Sequence, residues 1–138
     1  MRIMGLDMGQ KRIGIALSDT THTIAQSYNH LKRKSLEDDI QALKTIIDEN
    51  EVGLIVAGLP LNMDGSSGKQ VDTVTDFIKI VEEKTGLAVK TYDERLTSKL
   101  AESVLIESDM SRKKRKGKVD SLAAVLILQG YLDSTKND

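Results

Sequence analysis

The stretch Ile3–Asp19, IMGLDMGQKRIGIALSD, decides how the rest of the chain is read. Two short apolar runs, Ile3–Leu6 and Ile13–Leu17, flank a polar connection containing Gly9, a spacing that predicts a β-hairpin. Asp7 stands at the end of the first run, although aspartate is a poor strand former and costly to bury alone. Two readings stay open on the hairpin alone. The carboxylate bonds the backbone of its own turn, as Asp commonly does, or it holds a cation or a phosphate-bound metal at a strand end. Lys11 and Arg12 are likewise either a solvated tip or a phosphate contact.

The remaining elements follow in order. Residues 23–31 (TIAQSYNHL) give a third strand of weaker pattern. Lys32-Arg33-Lys34 precede Ser35, which with Asp38 three residues on marks a helix start. Leu36, Ile40, Leu43 and Ile47 recur at helical spacing and predict one buried face, ending about Asn50. Leu54–Gly58 (LIVAG) is a continuous apolar run, expected of a central strand, and Pro60 ends it. Asn62–Gly68 (NMDGSSG) reads as a loop. A second helix carries Val71, Val74, Ile78 and Val81 and closes at Gly86. Leu87–Tyr92 is the fifth strand and delivers Asp93-Glu94-Arg95. Thr97 and Ser98 can cap a third helix with Leu100, Val104 and Leu105. The basic run Arg112–Lys118 interrupts, with Gly117 as a breaker. A last helix is expected from near Val119, its small Ala123 and Ala124 allowing close packing on a sheet.

The order βββαβαβαα implies an α/β fold in one domain, residues 1–138. Three antiparallel strands lead into parallel α/β units, a mixed five-stranded sheet flanked by helices. Ligands of such sheets bind at the carboxyl ends of the parallel strands, where Asp7, the Gly58–Pro60 corner and Asp93-Glu94 would converge.

Composition narrows the chemistry. With 39% hydrophobic and 30% charged residues the chain has the balance of a globular protein. It has no Cys, which excludes disulfides and cysteine-based zinc sites. No signal peptide or membrane-length apolar run is recognisable, so the cytoplasm is the expected location. One Phe and three Tyr are too few for base-stacking platforms. Net charge is −1, but Arg112–Lys118 (RKKRKGK) carries six of the 20 basic residues, leaving 14 against 21 acids elsewhere. A concentrated patch of this kind can steer a polyanion even when the net charge is slightly negative, the alternative being a plain solvated charged run.

Three acidic positions directly adjoin apolar segments: Asp7, Asp93-Glu94 and Asp120. Separately each has a simple explanation. Asp120 would favour the dipole of a first helical turn, and Glu94 could pair with Arg95 or Lys99. Brought to one point, three carboxylates require a cation to offset their repulsion. All-oxygen ligands without His or Cys point to Mg²⁺ or Mn²⁺ rather than zinc.

The stretches GLDMGQKRIGIALSD (5–19), GLPLNMDGSSG (58–68), YDERLTS (92–98) and KGKVDSLAAVLILQGYL (116–132) resemble the YqgF family of pre-16S rRNA nucleases. That family, also described as RuvX-like Holliday junction resolvases, belongs to the ribonuclease H-like superfamily. The resemblance spans nearly the whole chain. It implies a ribonuclease H-like fold and metal-dependent hydrolysis of nucleic acid, with Asp7, Glu94 and Asp120 as the acidic triad. One departure stands out: in junction-resolving relatives the second acid follows the fourth strand, where this chain has Gly58-Leu59-Pro60. The site must then be completed from the fifth strand. Adjacent strand residues face opposite sides, and Glu94 is chosen over Asp93 for its longer reach.

In that reading Lys11, Arg12, Asn62 and Arg95 contact the substrate, as do Arg112, Lys113, Lys114, Arg115, Lys116 and Lys118. Asp64 and Ser66 could join Asn62, with Gly65 and Gly68 permitting close approach. Arg95 has the fork geometry of a phosphate clamp. Two other functions compete. The first hairpin also resembles that of the actin, Hsp70 and sugar-kinase group, but this chain has room for one such lobe and lacks a second phosphate hairpin. A non-catalytic nucleic-acid-binding protein is the other, and the retained triad argues against it. Pre-16S rRNA and branched DNA both remain open as substrates.

Overall fold

The hairpin forms as its pattern requires. Strands β1 (Arg2–Met8) and β2 (Arg12–Ser18) pair antiparallel, with Met4 opposite Leu17 and Asp7 opposite Gly14. The computed structural model describes residues 1–9, 11–59, 69–93 and 112–136, with side chains there except at 69, 70, 112–121 and 136. The expected helix around Leu100–Leu105 lies outside the described residues.

The third strand needs a correction. It is two short pieces, β3 (Ala25–Ser27) and β4 (Leu31–Lys32), each antiparallel to β2. The run offers only Ala25 to the interior of β3, while Gln26 and Ser27 are exposed, too little apolar surface to hold one long edge ladder. Among the described residues the expected five strands are therefore six, occupying five positions across the sheet. On the other side of β1 lies β5 (Val52–Leu59), and beyond it β6 (Val89–Asp93), both parallel to β1. The order is β3-β2-β1-β5-β6, with β4 also beside β2.

Strand alternation divides the core in two. Met4, Leu6, Ile13, Ile15, Ile55 and Ala57 point to one face, beneath helices α1 (Leu36–Glu49) and α2 (Lys69–Thr85). Ser35 caps α1, its Oγ accepting the Asp38 N–H at 3.1 Å. Ile40, Leu43 and Ile47 are buried, but Leu36 is 46% exposed, so the apolar stripe is narrower than its spacing suggests. Val71, Val74, Ile78 and Val81 are buried in α2 as expected, joined by Phe77. Gly86 ends α2 at φ 75°, where a side chain would strain the backbone, and its N–H bonds the Glu82 carbonyl at 2.9 Å.

The opposite face buries Ile3, Ala16 and Val56 beneath α3 (Arg112–Lys136). This helix corrects the expected break. It runs unbroken through the basic segment and Gly117 instead of starting near Val119. One glycine costs a helix about 1 kcal/mol relative to alanine, whereas burial of Ala124, Ile127, Leu128 and Leu132 anchors the whole element. Extending an anchored helix needs no new nucleus. It lies so close to β1 that a Cβ on Gly5 would stand 2.8 Å from the Leu128 Cβ and 3.0 Å from the Ala124 oxygen. Among the described residues no helix is long and apolar enough to cross a membrane.

Candidate active site

Strand alternation settles which side Asp7 belongs to. Ile3 and Gly5 meet α3, so Asp7, two residues further along β1, lies on that same face. On β2 its cross-strand partner is Gly14. On β5 the last pair is Leu6 with Ala57, so the next position beside Asp7 is Gly58. Both strand neighbours of the carboxylate on its own face are glycines. No neighbouring side chain on those two strands fills the space around it.

That space is an open pocket of about 260 Å³ lined by Asp7, Gly9, Lys11, Arg12 and Gly14. Asp7 is half-buried, while Lys11 and Arg12 are exposed. The structure thus brings together three of the expected site residues: one acid and two cations at the carboxyl end of β1.

The third acid is placed by its helix. Tyr131 and Thr135 line a pocket with Met1, Arg2 and Ile3, so α3 runs antiparallel to β1 with its carboxyl end at the strand's start. Ala124 and Leu128 sit over Gly5. Asp120 is four residues before Ala124, about 6 Å along the axis, and Asp7 is about 6.6 Å beyond Gly5 along β1. The backbone positions of Asp7 and Asp120 therefore fall at the same end of this layer. Asp120 is eight residues inside α3, not in its first turn, so the dipole explanation for it is withdrawn.

For the second acid, β6 discriminates. Asp93 pairs with Leu59, which packs with the α1/α2 cluster, whereas Tyr92 packs with the α3 cluster. Asp93 thus belongs to the face away from Asp7. Glu94 itself lies outside the described residues, as do Arg95, Asn62, Asp64 and Ser66. Arg112, Lys113, Lys114, Arg115, Lys116 and Lys118 occupy the opening turns of α3, their side chains beyond what is described. Among the described residues no three His, Cys, Asp or Glu side chains cluster as a metal site. Asp7 is the member of the expected triad whose side chain is described.

Tyr92, under α3, lies against Gly130. Burial raises the pKa of its hydroxyl, and the charges of Asp133 and Asp93 add to that. The glycine frame of Asp7 escaped the sequence reading, although counting the hairpin register back from its tip pairs residue 7 with 14.

A family model described as RuvX, Holliday junction resolvase, matches residues 1–134. Among curated proteins, one from Thermoanaerobacter pseudethanolicus is 52% identical over 138 residues, covering 99% of each chain. Another, from Natranaerobius thermophilus, is 49% identical over 137 residues, covering 99% of this chain and 97% of its own. Both are named "Putative pre-16S rRNA nuclease". Among solved structures, Thermus thermophilus RuvC in complex with a Holliday junction substrate aligns with a TM-score of 0.58 at 11% identity, covering 99% of this chain and 96% of that one. Fowlpox virus resolvase with its junction DNA gives 0.56 at 15% identity, covering 98% and 99%. At such identities these two likenesses speak for the fold, which is ribonuclease H-like as expected.

Proposed function

The chain belongs to the RuvX family of Holliday junction resolvases, and on that premise we propose that it is a metal-dependent nuclease whose centre is Asp7. One observation carries the reading: a carboxylate at the end of a central strand, framed on its face by Gly14 and Gly58, opens into a pocket with Lys11 and Arg12. A buried structural acid would be packed around, and here the sheet leaves room.

The residues fit a divalent cation. Asp7, Glu94 and Asp120 offer only hard oxygen donors, and the glycine frame leaves volume for an ion with its waters, as Mg²⁺ or Mn²⁺ prefers. When bound, such an ion activates water and offsets the charge that develops on a phosphodiester. Glu94 is preferred because Asp93 belongs to the other face. Lys11 and Arg12 would hold the phosphate at the pocket, with Arg95 as a clamp and Asn62 contacting the backbone beyond it.

The six cations between Arg112 and Lys118 support a polyanionic substrate. They occupy the amino-terminal turns of α3, the positive end of the helix dipole, with no acid in the first turn. That arrangement is electrostatically unfavourable until anions meet it. The names of the relatives favour pre-16S rRNA, processed during ribosome assembly in the cytoplasm. The family description keeps branched DNA as the second substrate.

The test is cleavage of pre-16S rRNA and a four-way DNA junction side by side, with Mg²⁺, Mn²⁺ or EDTA. We expect rRNA cleavage that EDTA abolishes. Cleavage of the junction alone would reverse the substrate assignment, and activity undiminished by EDTA would remove the metal from the mechanism.

A further inference from the structure

Lys32-Arg33-Lys34 precedes the cap of α1 as a plain basic triplet in sequence, yet its middle residue is engaged by three neighbouring elements. The Arg33 side chain is 24% exposed. Its Nη1 donates to the Gly9 carbonyl at 2.9 Å, and its Nε donates to Asp39 Oδ2 at 3.4 Å. Its backbone N–H donates to the Lys11 carbonyl, also at 2.9 Å. The guanidinium carbon lies 5.0 Å from the centre of the Phe77 ring on α2, within cation–π range. One residue thus holds both carbonyls that flank position 10 at the hairpin tip, and α1 and α2 hold that residue in turn.

Asp39 is 3% exposed and, with Ser18, is one of the two buried polar residues among those described. Its Oδ1 accepts the Lys34 N–H at 3.0 Å. Asp39 lies in the first turn of α1, so the helix start accounts for its Oδ1 bond but not for its pairing with Arg33. A buried carboxylate is tolerated only when paired, and breaking the pair strands a charge. The Arg33–Asp39 pair therefore fixes one geometry at this place.

We infer that Arg33 is a positioning residue for the site at Asp7, anchored by Asp39 and Phe77. The inference rests on the nuclease reading for its catalytic consequence only. Gly9 and Lys11, whose carbonyls Arg33 grips, are themselves walls of the Asp7 pocket. Ladder pairing between β1 and β2 ends at Met8 with Ile13, and beyond it the Gly9 N–H to Arg12 carbonyl bond of 2.9 Å closes the tip. Arg33 ties that tip to the helical layer behind the sheet. It thereby sets where Lys11 and Arg12 stand relative to the carboxylate. A reacting geometry displaced by about 1 Å can cost about 100-fold in rate.

Two variants test this, Arg33→Lys and Arg33→Ala. Lysine keeps the charge Asp39 requires but lacks the planar fork, so Arg33→Lys releases the Gly9 carbonyl without stranding the buried acid. The first readout is amide hydrogen exchange. Arg33→Lys should exchange faster at Gly9 while Leu6 and Ile55, deep in the sheet, keep wild-type rates; Arg33→Ala, which also strands Asp39, should exchange faster still at Gly9. The second is cleavage kinetics well below the melting temperature. We expect kcat to fall about 10- to 100-fold with KM little changed, since the basic helix start still holds the substrate. A merely structural residue would lower Tm and leave kcat of the folded protein unchanged. Wild-type exchange at Gly9 in Arg33→Lys, or wild-type kcat, overturns the inference. Should the unmodified protein cleave no nucleic acid, the nuclease reading fails, and exchange at Gly9 still decides the positioning claim.

Discussion

Asp7 and Asp19 end the two strands of one hairpin and meet different surroundings. Asp19 is gripped by its own turn. The Thr21 hydroxyl donates to Oδ2, and the N–H groups of Thr23 and Ile24 donate to Oδ1 at 2.7 and 3.0 Å. These bonds hold its carboxyl well below the usual carboxylate range, the Thr21 hydroxyl contributing most. Aspartate bonding its local turn is thus realised at the far end of the sheet from the pocket. The sign of the pH effect follows. A depressed folded pKa gives stability that is present above the unfolded value of about 3.9 and lost as pH falls below it. Thermal melts of wild type and Asp19→Asn should therefore differ by a constant amount near neutrality, and the difference should shrink below about pH 4. A constant difference down to pH 2 would contradict the assignment.

At the scale of elements, α3 matters most. Its apolar half is clamped to the sheet through Gly5, and its amino-terminal turns contain the cationic residues whose charge opposes the helix dipole. Replacing Lys113, Lys114, Arg115 and Lys116 by Ala should leave helix content unchanged or slightly higher, since alanine is the better helix former. Nucleic-acid affinity should weaken across sequences, and each lost phosphate contact should reduce the salt slope by about 0.7–0.9. An unchanged slope would show the segment to be solvated only. This helix also shows where local rules mislead. Six cations and a glycine read as a break because both are unfavourable in a helix start, but tertiary burial of Ala124–Leu132 outweighs them. The third strand misleads the other way, since pairing with β2 stabilises only the ends of a polar run. Strong periodicity was reliable: the hairpin, β5, the buried face of α2 and that of α1 apart from the exposed Leu36 stand where their patterns put them. Arg33 was illegible because a basic triplet has the same sequence whether its middle member is solvated or gripped by a buried acid.

Across the whole molecule, the two faces of the sheet do different work. The α1/α2 face holds the larger core and, through Arg33, the hairpin tip. The α3 face carries Asp7 and, by backbone register, the turn of α3 that contains Asp120. The proposed site therefore lies at the carboxyl end of β1, where parallel α/β sheets place their ligands. The central claim is that Asp7 is the carboxylate on which metal-dependent cleavage depends. Asp7→Asn keeps the shape of the side chain and removes its charge. The measurement is cleavage of pre-16S rRNA by wild type and Asp7→Asn at saturating Mg²⁺, with melting temperature and metal-free RNA affinity recorded alongside. The account predicts a loss of activity of at least about 100-fold, an equal or higher melting temperature, and unchanged affinity. Equal cleavage by the folded variant would contradict it.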